Sequence, residues 1–281
     1  MRLRTIAILV ILLAAGRPGF AQQRPLVTED PETVGSGLIL IEGGVEYQKD
    51  LFYPVSGLTG NLLRIGTLGV SFGISSIAEL QIDGGIIQRL TVTDIEPAPL
   101  SSELTYTGNH TKDYEDITIA TKIRLLSEAA GRPAIALRFA TRLPNASTES
   151  GIGLDTTDFY VTGILGKTVQ SIRIVGNLGL AILTDPTRGY RQNDVLTYGM
   201  SLARAIKQGV EIVGEVNGRL NTRDHATPPG TESRSIMRVG GRFTNGTVRI
   251  DGGLLVGLTS RDPSYGFTGG FTWVFNGFTV P

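Results

Sequence analysis

Apolar and polar residues alternate along most of this chain, beginning near residue 37. In residues 210–220, Val210 and Ile212 fall on one face of an extended strand, and Glu211 and Glu215 fall on the other. Alternation with a period of two indicates a β-strand and not a helix. Similar stretches recur and predict about twelve strands, at residues 37–49, 62–72, 78–90, 114–126, 134–142, 155–165, 171–183, 194–206, 210–220, 233–244, 248–258 and 265–275.

The connections between these predicted strands alternate between long and short. The short ones include Lys207-Gln208-Gly209, Gly166-Lys167-Thr168 and the hairpin signal Asn245-Gly246, whereas residues 50–60 and 91–113 are long. Bacterial membrane barrels have an even number of strands, long extracellular loops and short periplasmic turns. The pattern therefore predicts an all-β, transmembrane, antiparallel up-and-down β-barrel over residues 37–275. A secreted β-sandwich is the soluble alternative, although its strands are usually shorter.

The first 21 residues have the composition of a cleavable export signal. Arg2 and Arg4 precede a short apolar run, and small residues end the segment at Ala21. We therefore expect a signal peptide at 1–21, a periplasmic lead-in at 22–36, the barrel at 37–275 and a C-terminal tail at 276–281. An exported barrel of this kind is expected in the outer membrane.

Charge and composition narrow the functional class. Lys plus Arg and Asp plus Glu number 26 each, so no net charge favours nucleic acid as a partner. The chain has no Cys, which excludes disulfides and thiolate metal sites. No cofactor or metal motif is found. The expected partners are outer-membrane lipid, the barrel-assembly machinery and an unidentified small solute.

Charged residues on the polar face of the strands are expected to line the interior of the barrel. One interpretation is a water-filled lumen in which an acidic wall faces a basic wall and sets selectivity. The other is that the charges pair and fill a narrow barrel. The predicted lumen-lining residues are Glu42, Glu46, Glu79, Asp83, Lys122, Arg124, Arg138, Arg142, Arg173, Glu211, Glu215, Arg219, Arg238, Arg242, Arg249 and Asp251.

Three aromatic residues stand at alternate positions near the end of the last predicted strand. Phe271, Trp273 and Phe275 would form part of an aromatic girdle at a bilayer interface. Ordinary strand packing in a sandwich is the alternative interpretation.

An enzyme is not predicted. The chain contains two His, and both fall in predicted loops: His110, and His225 next to Asp224. A hydrolase at the barrel mouth would need an oriented base and nucleophile. Neighbouring residues of an extended segment point apart, and no such nucleophile is evident.

Four groups of residues in the second half of the chain carry a resemblance to a known family. They are Gly151-Ile152-Gly153 with Asp155 and Asp158, Asn177-Leu178-Gly179, Asp194 with Tyr198-Gly199, and Glu215-Val216-Asn217-Gly218. With them, residues 143–275 resemble the outer-membrane barrel family labelled "MetA-pathway of phenol degradation", whose members are often called transporter-like. The resemblance implies a channel or transporter for small, hydrophobic or aromatic solutes, and it supplies no functional residues. A closed structural or surface-binding barrel that acts through its loops is the alternative.

Overall fold

The structure, a computed structural model, describes residues 24–224 and 227–279. The predicted signal peptide lies outside the described residues. Within them, no helix is long and apolar enough to cross a membrane. Two short 3₁₀ turns occur, at Ser101–Glu103 and Thr148–Ser150. The described strands are β1 (Leu38–Tyr53), β2 (Leu58–Gly73), β3 (Ala78–Ile95), β4 (His110–Asp113), β5 (Thr118–Leu126), β6 (Ala134–Arg142), β7 (Asp158–Val169), β8 (Ile172–Thr184), β9 (Gln192–Lys207), β10 (Val210–Leu220), β11 (Arg234–Asn245), β12 (Val248–Gly257) and β13 (Tyr265–Asn276).

The strands form one closed ring of antiparallel neighbours. β1 pairs with β13 as well as with β2, and β2 also pairs with β3, so the ring is closed. β4 and β5 pair with successive parts of β3 and share one position in the ring. The thirteen described strands thus occupy twelve positions, which confirms the predicted all-β, antiparallel up-and-down barrel.

The outer face of the barrel is apolar. Leu178 of β8 is 62 % exposed and Leu254 of β12 is 67 % exposed, a large apolar exposure that suits lipid and not water. The inward positions of the same strands carry Asn177 and Arg249 among others. Closure satisfies the backbone hydrogen bonds that a bilayer core leaves without water.

The barrel has a turn end and a loop end. The turn end carries the connections 74–77, 127–133, 170–171, 208–209 and 246–247. The loop end carries the connections 54–57, 96–109, 143–157, 185–191, 221–233 and 258–264. The turn at Gln208-Gly209 lies where it was predicted. The turn predicted at Gly166-Lys167-Thr168 is wrong, because these residues extend β7 in pairs with β8 and the chain reverses at Gln170, which has φ 55°.

Two further connections differ from the prediction. The hairpin residues between β11 and β12 are Gly246 and Thr247, one position later than Asn245-Gly246. The first connection is 54–57 and is short, not a long loop over 50–60. β1 accommodates Asp50 in a left-handed conformation with φ 55° and continues its pairing, and the chain turns at Gly57 with φ 78°.

A bulge at Gly66 explains why the facing of the second strand is ambiguous in the sequence. β2 has one residue more than β1 between Ile65 and Thr67, and Gly66 adopts φ 68° there. A bulge moves the following residues to the opposite face of a strand. Leu63 and Ile65 before it, and Leu68 after it, can therefore all face outward.

Leu178→Arg tests the assignment of the outer face. The variant should lower the stability of the barrel in lipid vesicles by about 2–4 kcal/mol, because an arginine near the bilayer midplane is costly. Urea titration in vesicles measures the loss. Tyr190→Arg, at a loop position that is 86 % exposed, is the matched control and should cost little. Equal stability of the two variants would contradict a lipid-facing Leu178.

The interior of the barrel near the loop end is apolar on the side of β1–β3. Leu58 and Leu90 are completely buried there, and Leu51 and Leu62 join them. Ile152, from the connection 143–157, packs on this group. The connections 54–57 and 143–157 also meet over this apolar group, since the Ser56 hydroxyl donates to Gly151 O at 2.6 Å. The mouth of the barrel is therefore narrowed on this side.

Candidate functional site in the barrel lumen

Residues 24–34, which we name the plug segment, lie inside the barrel. The chain enters at the turn end, where the Gly37 N–H donates to Gly73 O at 2.8 Å. It then runs inward, with Val34 N–H donating to Glu79 at 2.6 Å and Thr28 N–H donating to Glu215 at 2.8 Å. We expected residues 22–36 to form a periplasmic lead-in; the described part up to residue 34 instead occupies the lumen.

The acidic residues of the plug segment explain why it enters a barrel with many inward cations. Glu29 contacts Arg138 at 3.0 Å, and Asp30 contacts Arg173 at 2.7 Å. Glu32 forms a further ion pair with Arg124 nearer the turn end. The segment thus adds a second carboxylate beside Arg138 and Arg173, which also contact Asp83 and Glu128. This is the physical reason why the lead-in is internal.

Lys122 is the centre of the most buried of these contacts. Its side chain is 1 % exposed, and its ammonium lies 3.0 Å from Glu79 and 3.3 Å from Glu29. The ammonium also donates to Asp30 O at 2.9 Å. A charge this deeply buried is tolerated only when it is paired and hydrogen-bonded. Lys122 therefore depends on the plug segment as well as on the neighbouring strand.

Glu215 holds the plug segment from the opposite wall. Its carboxylate accepts the backbone N–H groups of Val27 at 2.9 Å and Thr28 at 2.8 Å. It also pairs with Arg238 at 3.3 Å, which in turn lies 3.8 Å from Glu46. A carboxylate that accepts two backbone donors and one guanidinium is a strong local anchor.

The other predicted lumen residues each have an ion-pair or hydrogen-bond partner. Their contacts interleave the two signs of charge around the ring, and so they do not form an acidic wall that faces a basic wall. The pairs are Asp83–Arg138 (3.2 Å), Glu211–Arg242 (3.7 Å), Glu211–Arg249 (3.7 Å), Arg142–Asp116 (3.7 Å), Arg142–Asp158 and Asp251–Arg24 (3.5 Å); Glu42 accepts from Thr272 at 3.1 Å, and Arg219 donates to Glu232 O at 2.8 Å.

Several residues of this network were not among the predicted site residues. They include the plug acids, together with Arg24, Arg64, Glu115, Asp116 and Asp158. The signal for the plug was present in the sequence as three acids within residues 29–32. Arg64 stands just before the Gly66 bulge, where the facing of the strand was ambiguous.

Glu128, at the turn end, reinforces the anchor of Asp30 through Arg173. Its carboxylate lies 2.6 Å from Arg173 and accepts the Thr168 N–H at 2.8 Å. Burial raises the pKa of Glu128, but the Thr168 N–H, the charge of Arg173 and a hydrogen bond from Lys167 outweigh it, so the pKa lies below its usual range. The stabilisation is therefore present above the pKa of the unfolded state and is lost as the pH falls through the folded pKa.

The plug segment leaves space on both of its sides. A cavity of about 370 Å³, which we name the larger cavity, is bounded by Val27–Glu29 and by inward residues of β6–β11. A second cavity of about 220 Å³ is bounded by residues 24–27 and by β1–β3. The lumen is thus obstructed by the plug segment but is not filled by side chains.

The predicted girdle residues lie on the outer face of β13 near the turn end. Phe271 is 46 % exposed and Trp273 is 44 % exposed, and the Trp273 and Phe275 rings lie 4.3 Å apart. Tyr265, at the loop end of the same strand, is also exposed. This places aromatic rings near both ends of one strand.

The described residues show little that resembles a catalytic or metal site. His110 is exposed on β4, and His225 lies outside the described residues. In residues 24–224 and 227–279, no group of three His, Asp or Glu side chains could hold a metal ion.

Comparison with solved structures relates this architecture to known barrels. An outer membrane channel from Pseudomonas putida F1 matches with a TM-score of 0.63 and 11 % identity, over 88 % of this chain and 98 % of that chain. The chain has the fold of outer-membrane β-barrels. The NanC porin matches with a TM-score of 0.51 and 8 % identity, over 84 % of this chain and 98 % of that chain.

The sequence comparisons do not assign the chain to a family. No family model matches the chain, and no curated protein matches it. The resemblance to the MetA-pathway family therefore has no support beyond the shared barrel architecture. At identities of 8–11 % the structural likeness concerns the fold alone.

Proposed function

We propose that this chain is an outer-membrane channel for small solutes, in which the plug segment blocks the lumen at rest and opens it by leaving. The supporting observation is the way in which the segment is held. Its anchors to Glu79, Glu215 and Arg173 are polar contacts, and cavities flank it on two sides.

The energetics of these anchors favour a reversible block. A hydrogen bond to a charged group contributes a net of about 1.5–3 kcal/mol, because water replaces the lost partner. Glu215 and Arg173 could be rehydrated if the segment withdrew towards the turn end. The barrel wall is separately held by its continuous ring of backbone pairs. Withdrawal would therefore leave the wall intact.

The proposed solutes are small and hydrophobic or aromatic, and the chain would be exported by a cleaved signal peptide and inserted by the barrel-assembly machinery. The larger cavity supports a small molecule, since about 370 Å³ is near the lower limit of ligand sites. No nucleic acid partner or enzymatic activity is proposed.

A closed barrel that acts through its loops is the second candidate. The observation in its favour is the packing at the loop end, where Leu104 and Ile152 from two connections join buried Leu58 and Leu90. Ordered connections of this kind could present a binding surface. This candidate predicts that no variant of the plug segment conducts ions.

Conductance in planar bilayers, measured with Glu215→Gln, separates the two candidates. The variant weakens the acceptor of Val27 N–H and Thr28 N–H, and so we expect a several-fold higher open probability than in the parent protein. Glu211→Gln is the matched control. Glu211 lies on the same strand and also pairs with arginines, but its described contacts do not include the plug segment.

The two outcomes are clear. More frequent opening of Glu215→Gln than of Glu211→Gln supports the gated channel. The absence of conductance steps from folded parent and variant proteins at all applied voltages rejects the channel and favours the closed barrel.

A further inference from the structure

Two arginines on the wall of the larger cavity differ from the other inward cations. Arg219 of β10 and Arg234 of β11 stand directly opposite each other in the strand register, and both line this cavity. Directly opposed side chains have Cβ atoms about 4.5–5.5 Å apart, and like charges in this position destabilise a sheet. The arrangement therefore needs a compensating negative charge.

Among the described residues, neither arginine forms an ion pair. Arg219 donates to the backbone oxygens of Glu232 at 2.8 Å and Gly230 at 2.6 Å, and Arg234 donates to Phe52 O at 2.9 Å. The Glu232 carboxylate accepts the Gly230 N–H and makes no described ion pair with Arg219. By contrast, Lys122 and the other inward arginines each contact a carboxylate.

We propose that Arg219 and Arg234 bind the carboxylate of a small organic acid in the larger cavity. An arginine has five N–H donors, and the backbone contacts of this pair use at most three of the ten. The remaining donors can form the bidentate contacts with carboxylate that distinguish Arg from Lys. The ligand would supply a carboxylate in direct contact with both guanidinium groups, which no described residue provides.

The rest of the cavity suits a compact apolar body attached to that carboxylate. Val27 of the plug segment, Ile236 and the ring of Tyr160 line it. Thr162 and Thr197 contribute hydroxyl groups between them. The volume of about 370 Å³ can contain a single aromatic ring with its carboxylate. A simple aromatic acid is therefore the ligand class that matches both parts of the cavity.

The inference deepens the proposed function, because a solute that binds here lies against the plug segment. It can nevertheless be tested without conductance. Titration calorimetry with purified, folded protein in detergent measures the binding of benzoate, with benzyl alcohol as the uncharged probe of similar shape. If the protein binds benzoate but shows no conductance, the carboxylate site is supported and the channel function is rejected.

We expect benzoate to bind at least about tenfold more tightly than benzyl alcohol, since a hydrogen bond to a charged group is stronger than one between neutral groups. Arg234→Gln should weaken benzoate binding by about tenfold or more and leave benzyl alcohol unchanged. Arg234→Lys keeps the positive charge but lacks the paired N–H donors of a guanidinium, so it should give an intermediate loss of benzoate affinity. Arg249→Gln removes an inward arginine that does not line the larger cavity and should bind like the parent.

Three results would overturn the site. They are equal binding of benzoate and benzyl alcohol, an equal loss in Arg234→Gln and Arg249→Gln, and no binding of benzoate by the folded parent protein. The gel mobility of unheated samples, together with urea unfolding, establishes that each variant is folded. If Arg234→Gln does not fold, Arg234→Lys alone decides, because an unchanged affinity in that variant contradicts bidentate binding.

Discussion

The double variant Thr28→Cys/Gly199→Cys should not conduct under oxidising conditions. Adding a reductant should restore its conductance. The pair joins the middle of the plug segment to the inner face of β9. A closed segment that is covalently bound to the wall cannot withdraw, whatever the applied voltage. The expected effect is the complete loss of opening events, which is larger than the effect of weakening any one anchor.

The geometry at these two positions suits a disulfide. A Cβ at residue 199 would lie 2.9 Å from Thr28 Oγ1 and 3.4 Å from Thr28 Cγ2, both of which are bonded to the Thr28 Cβ. The two Cβ atoms would thus be close to the separation of about 3.5–4.5 Å that a disulfide requires. The chain contains no Cys, so no native thiol can form a competing bond.

Each single variant is the control for the pair. Thr28→Cys and Gly199→Cys alone should conduct equally with and without reductant. Mass spectrometry of the oxidised pair confirms the bond. Unchanged opening of a fully cross-linked barrel would show that ions pass beside the plug segment, and that its withdrawal is not the gate.

The alternation of residues along the strands was sufficient to predict the barrel. Side chains such as Leu178 and Leu254 must face lipid, and their neighbours must then face inward, so the period of two determines both faces at once. The prediction of strand facing and strand ends failed where the backbone departs from the two-residue alternation. Gly66 and Asp50 adopt positive φ values, and only the paired strand reveals that a strand continues through them.

The contents of the lumen were less predictable for a different reason. The inward charges can be read from the strands, but their partners come from a segment without any periodicity. Glu29 and Asp30 lie more than 90 residues from Lys122 and Arg173, and nothing local indicates these contacts. Similarly, Arg219 was predicted to face the lumen, whereas Arg234 was not among the predicted residues. The absence of an ion pair for both among the described residues became visible only once the other charges were paired.

Lys122→Met should destabilise the folded protein by about 3–5 kcal/mol, because breaking a buried ion pair leaves uncompensated charge. The side chain is fully buried and contacts Glu79 and Glu29, and Met fills a similar volume without the ammonium. Urea unfolding in vesicles measures the loss. The variant should also open more often in bilayers, since Glu29 then repels Glu79 and favours withdrawal of the plug segment.

Adding Glu79→Gln to Lys122→Met separates the loss of the pair from the loss of packing. The second change removes the carboxylate that the first leaves unpaired, so the double variant should recover a large part of the stability. Arg249→Gln, at a less buried pair, is the control, and adding Glu79→Gln to it should give no recovery. If the double variant is as unstable as the sum of its single changes, the charge of Lys122 does not hold the plug segment, and Glu215 and Arg173 must carry that role.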